Sequence, residues 1–239
     1  FAYCDQVAGR LPATLIIAAH NSRVKTRADY VCSGAGDQNT IRLALAALPP
    51  AGGKLLFLEG DYHLDCYGVE PVDTQYRLIT VDKPFVSIEG MGASTRFRLA
   101  DNAVGSGESH ILLFASASGF RLCELAIDGN SAENANGNIT GLRLGANAGQ
   151  SIISGLSVSN CDAAGIDIRA QYVNAHHNLA ANCGNGFLLS SAIVELGFNL
   201  ARLNSGYGVS GSNANCNLVA NRMLDNALGG IRLSTGGRG

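Results

Sequence analysis

The sequence predicts an all-β fold, a right-handed parallel β-helix of about 22 residues per coil with an N-terminal capping helix. Three observations predict it. Asn138, Asn160, Asn182, Asn204 and Asn226 recur every 22 residues. Ile166, Phe187, Val209 and Ile231 recur at intervals of 21, 22 and 22, each directly after a glycine. Cys161 and Cys183, again 22 apart, directly follow two of the asparagines. A fixed period of roughly 20 to 50 residues is the signature of stacked repeats.

Each unit reads as a turn followed by a short strand. Asn tolerates the left-handed backbone region, and Gly enters it freely. Ile166 and Ile168 alternate with Asp167 and Arg169, and Ile231 and Leu233 flank Arg232. Period-two alternation gives one buried face and one wet face. Strands this short are stable only when stacked, so like side chains must lie above like. The recurring asparagines predict an internal ladder, each amide bonded to its equivalent about 4.8 Å along the axis. A helical solenoid does not fit, because these Gly-, Asn- and Ser-rich units lack an apolar stripe at helical spacing. The right hand follows from the usual chirality of parallel crossovers.

Residues 1–53 are expected to hold an N-terminal strand and the capping helix, and 54–239 the β-helix, as one structural domain. The first strand is predicted over 14–19. A glycine-rich turn over 28–37 ends at Asp37, a good helix N-cap. The helix spans 38–48, with Ile41, Leu45 and Leu48 on one side. Pro49 and Pro50 stop it, and Gly52 and Gly53 turn the chain. Strands follow over 54–58 and 62–64.

The segment ADYVCSGAGDQNTIRLALAALPPAGGKLLFLEGDYHL, residues 28–64, resembles the N-terminal entry of the pectate-lyase-like β-helix superfamily. The resemblance covers residues 14–66, and the repeats over 138–233 fit that superfamily's later coils. It implies a helix laid across the solenoid mouth. It also implies a polysaccharide or glycan surface as partner, since the superfamily holds lyases, glycoside hydrolases, epimerases, phage tailspikes and surface proteins. Physics agrees with the cap: an open solenoid end presents unpaired strand edges, and a helix covers them.

Further strands are predicted over 77–81, 85–89, 96–99, 111–114, 120–122 and 125–127. Polar stretches over 67–75, 101–110 and 128–137 read as loops leaving the solenoid, where function concentrates. The six residues from Ser234 carry no sign of a second cap, so the expectation is either that the protein continues or that this end stacks on another chain, end to end or in a homo-oligomer. Charged residues make up 15% and net charge is −2, which offers no electrostatic case for nucleic acid. No apolar run reaches the roughly 18 residues of a membrane span, so membrane insertion is not expected. The seven cysteines are odd in number. Cys161 and Cys183 read as stacked core thiols, while Cys4, Cys32 and Cys66 leave room for one disulfide. Without a CxxC pair, no zinc or redox site is predicted.

Two kinds of chemistry suit a β-helix of this superfamily: paired carboxylates for glycoside hydrolysis, or a base with charge neutralisation for a lyase. Arg143, Asp167 and Arg169 are the candidate catalytic cluster, because Arg143 and Asp167 occupy similar outward positions on successive coils. Leu188, Ser210 and Arg232 continue that column. The plain alternative is a surface ion pair of little energetic worth. Asp128 and Asn130, which close a strand, and the adjacent His176 and His177 are the candidate substrate-binding residues; the plainer reading of each pair is turn chemistry. Glu108 with His110 suggests an acid–base pair. Asp61, His63 and Asp65 share one strand face. No metal site is predicted, and calcium is the one cofactor the reading allows. The expected function is a non-catalytic or adhesive β-helix module on an extracellular or virion surface, with a polysaccharide lyase or glycoside hydrolase as the alternative.

Overall fold

The computed structural model describes residues 13–234 apart from 67, 106, 136 and 191. Its strands stack as coils with three faces. One coil shows the pattern: Ala164–Ile168 lies on face one, Gln171–His176 on face two and Leu179–Ala181 on face three. Face one is a seven-stranded parallel sheet running from Gln75–Val81 to Gly229–Ser234. Faces two and three belong to one bent sheet, joined through the strands Val86–Leu99 and Arg121–Asp128. The predicted strands over 85–89 and 96–99 are thus one strand, with register shifts between Glu89, Gly92 and Arg96.

The predicted inward column is real. Ile166 pairs with Phe187, Phe187 with Val209, and Val209 with Ile231. The first three are fully buried. Cys161 and Cys183 are buried free thiols, and Cys32 and Cys66 are free as well. The expectation of a disulfide among Cys4, Cys32 and Cys66 therefore does not hold for the two described members, and Cys4 lies outside the described residues. The predicted uncapped end likewise falls mostly on residues outside the description.

At the N-terminal end the helix Asp37–Ala47 packs on the mouth of the solenoid, burying Ile41, Ala44 and Leu45. The strand Thr14–Ala18 forms the first rung, parallel to Gly53–Phe57. Asp37 is not the N-cap: Gly36 is, with φ 63°. Asp37 sits one residue inside, where its carboxylate accepts from the backbone N–H of Gly34 and of His63. It thereby ties the helix start to the neighbouring strand, and a carboxylate is favoured at that end of the dipole. Lys83 closes the other end, donating to the carbonyls of Leu45, Ala46 and Leu48.

The asparagine ladder needs correction. Ala181 pairs with Arg202, which sets Asn182 beside Leu203 and Cys183 beside Asn204. One coil is a residue short, so the 22-residue spacing of the sequence is not the spatial column. Asn160, Asn182 and Leu203 instead hold left-handed bend positions, with φ of 55°, 54° and 56°. Asn138 lies exposed at the start of a strand. Within the predicted set only Asn204 and Asn226 bond directly, at 2.8 Å. The longer ladder is Asn178, Asn199 and Asn221, at the bend between faces two and three. Each follows a left-handed residue: His177, Phe198 and Ala220.

Candidate functional site

Register sets Phe114, Arg143, Asp167, Leu188, Ser210 and Arg232 side by side on face one, as the spacing from Arg143 onward predicts. Arg143 Nε donates to Asp167 Oδ2 at 2.7 Å. Arg169 Nη2 donates to the same oxygen at 3.0 Å, and its Nε reaches Oδ1 at 3.4 Å. Arg143 Nη1 donates to Gln75 Oε1 at 3.0 Å, from two strands away in the sheet. The pair is not a surface ion pair. Asp167 is 0% exposed and Arg143 7%. Arg143 and Arg169 close over the carboxylate, and Gln75, two strands away, holds Arg143 from its other side, which no single repeat reveals. Burial pulls the Arg143 guanidinium below its usual range, and the adjacent Asp167 carboxylate opposes that pull. The side chain of Arg169 is 43% exposed.

Aromatic rings support two more cations on this face. The Arg77 guanidinium lies 4.2 Å from the centre of the Phe114 ring. That of Arg232 lies 5.6 Å from Tyr207. Both fall within the range of cation–π attraction.

A second cluster borders the start of these strands. The rings of Tyr76 and His110 stack at 5.0 Å with 10° between planes. The Tyr76 hydroxyl donates to Glu108 Oε1 at 3.4 Å, and His110 Nε2 is 3.6 Å from Glu108 Oε2. His110 is fully buried, and neither ring nitrogen has a hydrogen-bond partner among the described residues. Burial lowers its pKa, with Glu108 acting in the opposite sense. Glu108 holds the Tyr76 hydroxyl above its usual range. The sequence pairs Glu108 with His110; it does not bring in Tyr76, which joins through strand register and lies outside the repeat period.

The remaining candidates lie elsewhere. Asp128 ends the strand Arg121–Asp128, where Oδ1 accepts from the Asn130 N–H and from Asn160 Nδ2. Asn130 is nearly buried, with φ 49°, and its Nδ2 donates to the Leu99 carbonyl and to Asp101. His176 and His177 lie at the bend between faces two and three, with Nδ1 atoms 3.0 Å apart. The His177 ring stacks on Phe198 at 5.3 Å. The candidates thus form three separate places: Arg143 with Asp167 and Arg169, Asp128 with Asn130, and His176 with His177. Asp61 is engaged by Arg96 and Asn21. Among the described residues no group of three or more His, Cys, Asp or Glu side chains is arranged to hold a metal ion.

Solved structures share this architecture. The A-module of mannuronan C-5 epimerase AlgE6 from Azotobacter vinelandii superposes with a TM-score of 0.69 at 22% identity, over 84% of this chain and 56% of that one. A rhamnogalacturonan lyase gives a TM-score of 0.62 at 11% identity, over 95% of this chain and 63% of that one. ORF18 of Geobacillus virus E2 gives 0.59 at 13% identity, over 85% and 46%. This chain is a right-handed parallel β-helix, the fold these neighbours share. It spans less than two thirds of each of these three neighbours. No protein-family model and no curated protein matches it. No helix among the described residues is long and apolar enough to cross a membrane.

Proposed function

We propose that this chain is a glycan-binding β-helix module of an extracellular surface protein or virion appendage, with face one contacting acidic polysaccharide. One observation carries the reading. Asp167 is fully buried and both its oxygens accept from arginines, so it has no free oxygen to act as base or nucleophile. What it does is hold two guanidiniums in place. Two positive charges against one negative leave the exposed Arg169 as an oriented anion contact. Neighbours named for mannuronan and rhamnogalacturonan, and another from a virus, support this reading.

The test is affinity electrophoresis in gels containing polygalacturonate or dextran. Retardation by polygalacturonate alone, reduced in Arg169→Gln, is the expected result. Equal mobility in both gels overturns the proposal. A lyase or hydrolase is the second reading, favoured by the unpaired His110 nitrogens beside Glu108. Unsaturated or reducing-end product from polygalacturonate, lost in His110→Ala, would establish it in place of binding alone.

A further inference from the structure

Face two carries a groove of about 340 Å³ lined by Tyr172, Asn174, Ile193, Glu195, Asn215 and Asn217, among others. That size falls within the roughly 300–1,000 Å³ of small-molecule clefts. It is formed by Gln171–His176, Ile193–Gly197 and Asn215–Val219, and does not include Arg143, Asp167 or Arg169.

Tyr172 is the unusual residue. Gln171 pairs with Ile193 and Val173 with Val194, so Tyr172 is an extra residue bulged out of the ladder. Its φ is 60° and it is 66% exposed. A bulky side chain in left-handed backbone is strained. Among the described residues Tyr172 makes no ring contact, ion pair or side-chain hydrogen bond that would offset this strain. Bulges re-aim side chains, and this one turns an aromatic ring to solvent at the groove's edge.

Beside it runs a polar column. Asn174 is in register with Glu195, and Glu195 with Asn217. The three are exposed. Strand stacking repeats them about every 4.8 Å along the axis, comparable to the length of one pyranose unit. Amides donate and accept, and a carboxylate accepts two hydrogen bonds, which matches pairs of sugar hydroxyls. An aromatic ring offers its face to the C–H side of a sugar. The lining holds no cation, so it does not select an anion; its one carboxylate is too few for a metal.

We infer that the Tyr172 groove binds a neutral glycan chain along the solenoid axis, stacked on Tyr172 and hydrogen-bonded by Asn174, Glu195 and Asn217. This site is separate from the acidic-glycan contact proposed on face one, and neither depends on the other.

The sequence contains no tryptophan. Tyr172→Trp therefore gives a single fluorescent reporter that preserves stacking. Titration with cellohexaose, maltohexaose and laminarihexaose is expected to give a saturable change with at least one of them. Calorimetry with the unmodified chain should show the same oligosaccharide binding about tenfold more tightly than it binds Tyr172→Ala. Glu195→Gln should also weaken it, and Arg169→Gln should leave it unchanged. Tyr172→Gly should abolish binding yet raise the unfolding midpoint, because glycine relieves the backbone strain. The inference is overturned if none of the three binds, if Tyr172→Ala binds as tightly as the parent, or if Tyr172→Gly lowers the midpoint. It is also overturned if the reporter responds to polygalacturonate alone.

Discussion

Asn178 donates its side-chain N–H to Asn199 Oδ1 at 3.0 Å, and Asn199 repeats the bond to Asn221 at 3.0 Å. The same oxygens accept the backbone N–H of Asn178 and of Asn199. The other side-chain hydrogens reach strand carbonyls, Asn178 to Ile153 and Asn199 to Ala175. A left-handed bend residue turns the strand too sharply for the sheet ladder to pair every backbone group. The asparagine ladder satisfies those left over, inside the solenoid, where an unpaired group is costly.

Asn199→Ala should therefore destabilise the chain by about 2–3 kcal/mol, since it strands more than one buried donor. Chemical denaturation followed by circular dichroism measures this. Asn138→Ala, at the exposed strand start, should change stability by less than about 0.5 kcal/mol.

Asp167 gives a larger effect. Asp167→Ala leaves Arg143 buried without its counter-charge and should cost about 3–5 kcal/mol. The double variant Asp167→Ala with Arg143→Leu should recover part of that loss, because the uncompensated charge is gone. A thermal double-mutant cycle reads the coupling directly.

Stability should also depend on pH through His110. Burial depresses its pKa in the folded chain, so the folded state binds this proton less readily than the unfolded state does. Its contribution is present above the unfolded value of about 6.5 and is lost as pH falls below it. Unfolding midpoints at pH 8 and pH 5.5 should differ in that direction, and His110→Phe should shrink the difference.

The thiols offer a fourth check. Burial pushes both Cys32 and Cys66 up to about 12, and a side-chain hydrogen bond with Cys183, followed by burial, raises the fully buried Cys161. At pH 8 these thiols should alkylate slowly with iodoacetamide in the native chain and rapidly in denaturant. Fast native labelling at Cys161 would contradict a closed core at that corner.

Much of the scaffold was legible along the chain. The column of Ile166, Phe187, Val209 and Ile231 stacks as its spacing indicates. The helix predicted over 38–48 forms as Asp37–Ala47. The outward run of Arg143, Asp167, Leu188, Ser210 and Arg232 is in register. These features rest on alternation and period, which neighbouring residues encode locally. The asparagine column was misread because the same residue type fills two jobs. Asn182 takes a left-handed bend, whereas Asn204 points its amide inward, and a coil one residue short moves one beside the other's neighbour.

The amino-acid order alone determined the stacked coil, the inward apolar column and the covered mouth, because each is a repeating or contiguous pattern. Only the tertiary structure decided that Asp167 is sealed, that Tyr76 joins His110 and that Tyr172 bulges outward. Those outcomes depend on where bends absorb or drop a single residue, and lateral register in a solenoid is set by that count summed over every coil below.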